Sequence, residues 1–95
     1  MELEFRHLRV VRAVADMGTL TAAATELRMT QPSVTDTLRR AERAAGGRLF
    51  RRSAQGAVPT PLGELVAAHA RTVLNALDRF ETAAVRHRAE APPYG

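Results

Sequence analysis

Arginine is concentrated in one segment of the chain, and its guanidinium group is suited to binding anions. Residues 28–52 contain seven arginines and two acidic residues, although the whole 95-residue chain has a formal net charge of only +4. A guanidinium group presents N–H donors in a fixed plane that matches the oxygens of carboxylates and phosphates. A basic segment of this density is typical of a surface for an anionic partner, most commonly nucleic acid.

Patterns for catalysis or metal binding do not occur in the sequence. There is no cysteine, which excludes a disulfide framework and a cysteine-ligated zinc finger. The three histidines, His7, His69 and His87, are far apart in sequence, so we expect no metal site. No acidic residue pairs with a histidine or serine at a catalytic spacing, and there is no glycine-rich phosphate loop. The sequence therefore predicts a binding protein without a cofactor in this domain, and no enzyme.

The compartment follows from two further sequence features. No apolar run approaches the roughly 20 residues that cross a bilayer. The N-terminal segment "MELEFRHLRV" has charges scattered through it, unlike a signal peptide. We expect a cytoplasmic protein, with no membrane partner.

The elements that must position the arginines begin with two helices. Apolar residues at Phe5, Leu8, Val11 and either Val14 or Ala15 have the spacing of one helical face and predict a first helix over residues 5–17. A glycine ends that helix, and Thr19 is expected to cap a second, short helix containing "TAAATEL".

The third predicted helix carries most of the basic segment. Thr30 is its expected N-cap, and Pro32 lies in the first turn, where its missing N–H costs nothing. One buried stripe is predicted from four apolar residues, Val34, Leu38, Ala41 and Ala45. Two short helices in succession behind a longer one predict a helix-turn-helix.

A small hairpin and a long helix complete the prediction. "RLFRR" and "GAVPT" flank "SAQ" and predict a two-stranded wing, with Pro59 at a strand end. Residues 61–88 then predict one long helix, on which apolar residues step by three and four like a and d positions of heptads. We call these residues the linker stripe: Leu62, Val66, His69, Val73, Ala76, Phe80 and Ala83.

The predicted fold class is mainly α, a winged helix-turn-helix over residues 1–60 followed by the linker helix over 61–88. The far half of that helix extends past any core that 60 residues can form, so we expect it to dimerise. The residues assigned to dimerisation are Leu62, Val66, His69, Val73, Leu77 and Phe80.

In this order, the segments resemble the N-terminal DNA-binding domain of LysR-type transcriptional regulators. "FRHLRVVRAVADMGTLTAAATELRMTQPSVTDTLRRAE" is similar to the first three helices of that domain, including the Gln31-Pro32 opening of the third. "GGRLFRR" and "PTPLGE" are similar to its wing and to the start of its linker helix. The sequence departs from the family pattern at Asp36, Ala41 and Arg51.

The resemblance implies a bacterial regulator that binds a double-stranded operator as a homodimer, with a tetramer left open for the full-length protein. It also implies that residues 89–95 begin a hinge to an effector-binding domain. The chain is then a part of a longer regulator or, as the alternative, a natural stand-alone domain. A small-molecule effector is expected only for the domain beyond the hinge.

The third helix and the wing supply the predicted contacts with DNA. The major groove of B-DNA is about 12 Å wide and admits one helix, whose N-terminal residues reach base edges. Gln31 is suited to adenine, whereas Asp36 either accepts from cytosine or pairs with Arg39 or Arg40 on its own helix. Wing arginines are suited to a minor groove or to phosphate. The predicted DNA-binding residues are Thr30, Gln31, Pro32, Ser33, Thr35, Asp36, Arg39, Arg40, Arg51, Arg52 and Ser53.

Two other interpretations remain open from the sequence. The chain is alternatively a helical interaction module that dimerises through its long helix and binds an acidic protein with its basic patch. Another type of winged-helix regulator, such as the molybdate-responsive repressors, has a similar layout. RNA binding is disfavoured, because the four aromatic residues are too scattered to form a stacking platform.

Overall fold

Four helices and one hairpin form the chain in a computed structural model that describes residues 1–90. The predicted class, a mainly α winged helix-turn-helix with a long fourth helix, is confirmed. The elements in chain order are α1 (Phe5–Met17), α2 (Leu20–Leu27), α3 (Gln31–Ala45), β1 (Phe50–Ser53), β2 (Gly56–Pro59) and α4 (Pro61–Glu90).

Side chains and left-handed residues fix the ends of the first three helices. The Thr19 hydroxyl accepts a hydrogen bond from the Ala22 N–H at 3.0 Å, so the predicted cap of α2 is confirmed. The Thr30 hydroxyl accepts from the Ser33 N–H at 3.2 Å and caps α3 in the same way. Arg28 ends α2 with a φ of 55° and turns the chain sharply into α3. These caps satisfy N–H groups that a helix leaves without intrahelical partners.

The core lies where α1, α2 and α3 meet the first turns of α4. Its fully buried side chains include Leu49, Val10, Val11, Val14 and Val34. The prediction that Phe5 faces the core is wrong, because its side chain is 47% exposed. The consecutive valines of α1 turn its buried face toward His7, which is 5% exposed.

The wing is an antiparallel pair whose register joins Arg51 to Val58 and Arg52 to Ala57. The predicted hairpin is confirmed, with the two-residue connection 54–55 and with Pro59 at the end of its strand. The outer side of β2 is also bonded, since the Ala57 N–H donates to the Gly18 carbonyl at 2.9 Å. The hairpin is therefore attached to the turn between α1 and α2.

The fourth helix covers the core with its N-terminal half and continues past it. Its buried residues are Gly63, Val66, Ala67, Ala70 and Leu74, and none follows Leu74. Val66, one of the predicted dimer contacts, is only 8% exposed, because its own core covers it.

Residues 89 and 90, which the sequence assigned to the predicted hinge, are helical, because α4 continues to Glu90. Residues 91–95, the rest of that predicted hinge, lie outside the described residues. No helix within residues 1–90 is long and apolar enough to cross a membrane.

Candidate nucleic-acid interface

The N-terminal turns of α3 expose their polar residues because the apolar stripe of this helix faces inward. Val34, Leu38 and Ala41 are buried, as the sequence predicted. The residues between them are therefore directed outward. Of the predicted contacts, Thr35 is half-buried, and the exposed ones on this helix and its cap are Thr30, Gln31, Pro32, Ser33, Asp36, Arg39 and Arg40.

Gln31 has a partner on the preceding helix. The Thr21 hydroxyl donates a hydrogen bond to Gln31 Oε1 at 3.0 Å, across ten residues of sequence. With its oxygen engaged, the amide presents its nitrogen, a donor, to an incoming group. A donor in this position matches the acceptor oxygens and nitrogens along the major-groove edges of bases.

Asp36 pairs within its own helix. Arg40 Nε lies 3.1 Å from Asp36 Oδ2, and both side chains are more than half exposed. This is the i to i+4 pair that the sequence offered as one of two roles for Asp36. An exposed pair of this kind contributes only a few tenths of a kcal/mol to stability, so it leaves the carboxylate available to DNA.

The wing presents two arginines beside its turn. Arg51 and Arg52 are exposed on β1. Ser53 is exposed too, but its hydroxyl closes the hairpin by donating to the Gly56 carbonyl at 3.3 Å and accepting from the Gln55 N–H at 3.1 Å. Hydrogen bonds within the hairpin therefore explain the presence of Ser53 without a DNA contact, whereas the side chains of both arginines extend from the hairpin.

Two cavities bring α3 and the wing together. One, of about 160 Å³, is lined by Thr21 and Gln31 on the helical side and by Arg52 and Ser53 on the wing. A larger groove of about 440 Å³ places Arg39 of α3 opposite the wing and also includes Arg52. Gln31, Thr35 and Arg39 of α3 thus form one continuous surface with Arg52 and Ser53 of the wing.

Most of the positive charge of residues 28–52 is uncompensated. Of the seven arginines in residues 28–52, only Arg40 and Arg48 form ion pairs with carboxylates within residues 1–90. The others are exposed, namely Arg28, Arg39, Arg43, Arg51 and Arg52. Five guanidinium groups are thus available to an external anion.

Glu42 and Arg48 are parts of the site that sequence reasoning did not assign. Glu42 Oε2 accepts a hydrogen bond from the Leu49 N–H at 2.8 Å and lies 3.5 Å from Arg48 Nε. The available signal was an acidic residue placed next to the buried stripe of a strongly basic helix. Its partners lie beyond the end of that helix, where spacing rules do not reach.

The linker stripe is largely exposed. Val73 and Phe80 of this stripe are 41% and 68% exposed, and Leu65, outside it, is 56% exposed. His69 is exposed, while Leu62 and Leu77 are partly buried. Apart from Val66, the residues assigned to dimerisation therefore retain surface for a partner.

Comparison with known proteins identifies the family. The family described as "Bacterial regulatory helix-turn-helix protein, lysR family" matches residues 5–64. The chain belongs to the LysR family. The matched region contains the helix-turn-helix, the wing and the first turn of α4, so the sequence-based resemblance is confirmed. The LysR family consists of transcription regulators and not of enzymes, in agreement with the sequence prediction.

One LysR relative is the small neutral protease regulatory protein of Streptomyces coelicolor. It is 50% identical over 74 residues, which cover 78% of this chain and 23% of that protein. The chain thus spans about a quarter of the length of such relatives.

Two solved structures with the same fold contain DNA. The structure described as a CbnR_DBD-DNA complex has 34% identity and a TM-score of 0.79, covering 95% of this chain and all of that one. The structure described as a BenM_DBD/catB site 1 DNA complex has 27% identity and a TM-score of 0.86, covering 96% of this chain and all of that one. The fold and the helix-turn-helix are therefore those of LysR DNA-binding domains.

Proposed function

We propose that this chain binds double-stranded DNA in a sequence-specific manner as part of a bacterial transcriptional regulator. The observation that carries the proposal is the continuous surface of α3 and the wing, which includes exposed polar residues and uncompensated guanidinium groups. Similarity to LysR DNA-binding domains solved with DNA supports the same assignment.

The N-terminus of α3 enters the major groove in this proposal. The groove admits one helix, and its N-terminal residues reach the base edges first. Gln31, Pro32, Ser33 and Thr35 then meet base edges, since they are on the outward side of the first turns. Arg39 and Arg40, one to two turns later, are left for the phosphates.

The wing occupies the adjacent minor groove. A narrow minor groove has an enhanced negative potential, which attracts inserted arginine side chains. Arg52 is the better placed residue, because it lines both cavities that connect the wing with α3. Arg51 is on the other side of the same strand and is suited to a flanking phosphate.

A homodimer is proposed from the exposed part of the linker stripe. Phe80 is 68% exposed on a helix that has passed the end of its own core. Two copies joined through this stripe would present two α3 helices about 34 Å apart, one turn of DNA, to an interrupted palindrome. Assembly as a tetramer belongs to the whole regulator.

The remaining proposals also concern the whole regulator. An effector would bind outside this domain. We assign no cofactor to the residues described above. A regulator that acts on bacterial DNA is proposed to work in the cytoplasm, associated with the nucleoid when bound.

Selection of bound duplexes from a random DNA pool at about physiological salt tests this function. We expect enrichment of an interrupted palindrome whose half-sites are about one helical turn apart. An Arg39→Ala, Arg52→Ala double variant serves as the control and should recover less DNA with weaker enrichment. No enrichment at any salt concentration would instead favour the module that binds an acidic protein.

A further inference from the structure

Contacts outside α3 help to hold the wing. Its second strand, β2, lies against α1 and α4, and Ala57 is bonded to Gly18 in the turn before α2. The chain between α3 and β1 is short and contains Gly46 and Gly47. The position of the wing relative to α3 therefore depends both on these attachments and on the contacts made at this connection.

One side chain of α3 makes those contacts. Glu42 Oε2 accepts from the Leu49 N–H at 2.8 Å and lies 3.5 Å from Arg48 Nε. Among residues 1–90 it supplies the side-chain hydrogen bond that joins α3 to the residues leading into the wing. Its side chain is 17% exposed, so water competes little for the carboxylate. Hydrogen bonds to an ionised acceptor are also stronger than neutral ones.

The same residues are held from the opposite side by the start of α4. The Thr60 hydroxyl donates to the Arg48 carbonyl at 2.6 Å, and the Thr60 N–H donates to the Leu49 carbonyl at 3.0 Å. We call Arg48 and Leu49 the wing root. It is fixed between Glu42 of α3 and Thr60, the residue before α4, and the Leu49 side chain is fully buried.

We propose that Glu42 is a positioning residue for DNA binding, which sets the distance between α3 and the wing by holding the wing root. With this distance fixed, Arg52 reaches the minor groove while α3 occupies the major groove. The inference rests on the proposed DNA-binding function. Glu42 acts through Leu49 and Arg48, and it lines the same groove of about 440 Å³ as Arg52.

Three substitutions distinguish the role of the Glu42 side chain as a hydrogen-bond acceptor from the role of its negative charge. Glu42→Ala removes both, whereas Glu42→Gln removes the charge but keeps an oxygen for the Leu49 N–H. Glu42→Asp keeps the charge on a side chain one methylene shorter, which no longer reaches. The alanine and glutamine variants share one change in net charge, so a general electrostatic gain in DNA affinity would be equal in both.

The effect of Arg52→Ala in each background is the first readout. In the parent chain we expect it to lower affinity about tenfold at 0.1 M salt and to reduce the salt slope by about 1, because one cation in the minor groove, between the phosphates of the two strands, is lost. With Glu42→Gln the effect should persist. With Glu42→Ala or Glu42→Asp it should fall below about threefold, because Arg52 is no longer held at the DNA.

An effect of Arg52→Ala that is equal in all four backgrounds would overturn the proposal and leave Glu42 a role in stability alone. Thermal unfolding of each variant identifies those that are folded at the temperature of the binding experiment. If Glu42→Ala is unfolded, the proposal is still tested by comparing the effect of Arg52→Ala in Glu42→Asp with its effect in Glu42→Gln.

A measurement without DNA keeps this inference separate from the proposed function. The chain has no cysteine, so Arg43→Cys gives a single site for a nitroxide label on α3. The paramagnetic relaxation enhancement that this label causes at the wing amides should differ from the parent value in Glu42→Ala. It should equal the parent value in Glu42→Gln. Unchanged enhancement in the alanine variant would refute the positioning role, whereas changed enhancement in a chain that selects no DNA would refute only the proposed function.

Discussion

Asp36 is the acidic residue on the outward side of α3, next to the residues proposed to meet base edges. Its carboxylate lies 3.1 Å from Arg40 Nε, and both groups are more than half exposed to water. A phosphate approaching this surface is attracted by Arg40 and repelled by Asp36. A cytosine amino group, in contrast, would be attracted by the carboxylate. The effect of removing Asp36 therefore depends on which group it meets.

We expect Asp36→Ala to raise affinity by about two- to fivefold for every duplex, the size of a screened surface interaction. The reason is that the substitution removes a repulsion from phosphates and frees Arg40 to bind them. Fluorescence titration against the selected site and its single-base variants measures this effect. Glu26→Ala is the matched control, because it removes the same charge from α2 and should have a smaller effect. Loss of preference at one base pair would instead assign base recognition to Asp36.

Side-chain contacts within one helix were predictable, and those between helices were not. The i to i+4 spacing of Asp36 and Arg40 is visible in the sequence, since helical geometry fixes which residues are neighbours. Thr21 and Gln31 are ten residues apart on separate helices, and their bond depends on how α2 meets α3. Glu42 meets Leu49 across a turn with two glycines, whose path no local rule specifies.

At the scale of elements, the close approach of α4 to the wing root depends on Gly63. A Cβ placed there would lie 1.9 Å from the Leu49 carbonyl oxygen, a distance that requires the backbone to move. Alanine is normally about 1 kcal/mol better than glycine inside a helix, but this contact reverses the preference. The absence of a side chain at Gly63 lets the wing root lie against α4.

We expect Gly63→Ala to lower the free energy of unfolding by about 2 kcal/mol or more, because it overpacks a contact between two backbones. Urea unfolding followed by circular dichroism, at one fixed protein concentration, measures the change. Gly47→Ala is the control, since its Cβ would meet only the end of the Leu62 side chain at 3.1 Å. A parent-like midpoint for Gly63→Ala would show that α4 and the wing root separate at little cost.

The starts of the helices could be predicted from capping residues, but the face of each helix that is buried could not always be predicted. Thr19 and Thr30 each precede a helix and accept from its backbone, so these starts were predictable. Phe5 fits the period of the α1 stripe and is nevertheless 47% exposed. The stripe alone could not decide this, because Val10 and Val11 are adjacent and both are buried. Their joint burial rotates the face away from Phe5.

At the scale of the whole molecule, α4 gives the chain its elongated shape, with extents of 57 × 27 × 18 Å. The part of α4 after Leu74, about 24 Å long at 1.5 Å per residue, contains no buried residue. The linker stripe continues along it with Val73 at its base and Phe80 beyond. An exposed apolar stripe on a projecting helix is suited to pairing with a second copy.

Replacing Val73 and Phe80 together with glutamate should give monomers of 10.3 kDa, half the mass expected for the parent chain. Each substitution places a charge in a stripe that a partner would otherwise desolvate. Sedimentation equilibrium measures the mass directly. Asn75→Glu adds a charge on another face of α4 and should leave the dimer intact. A parent chain that is itself monomeric, or a double variant of unchanged mass, would contradict this interface.

The heptad pattern predicted one long helix but could not divide its surface between the core and a partner. Val66 and Val73 are seven residues apart and equivalent in the pattern, yet Val66 is 8% exposed and Val73 is 41% exposed. Coverage by the core does not simply end between them, because Leu74, next to Val73, is 2% exposed. Which part of the surface of a helix is covered by other elements is a property of the tertiary structure, and the periodicity contains no information about it.

The bond between Ala57 and Gly18 has a consequence for behaviour in concentrated solution. A projecting hairpin has two open edges, and open strand edges template aggregation. Here the outward N–H of β2 at Ala57 is already occupied by the Gly18 carbonyl. The other strand carries Arg51 and Arg52, whose charges repel the same strand of a neighbouring molecule. The hairpin can therefore project toward a nucleic acid without inviting strand exchange between copies of the protein.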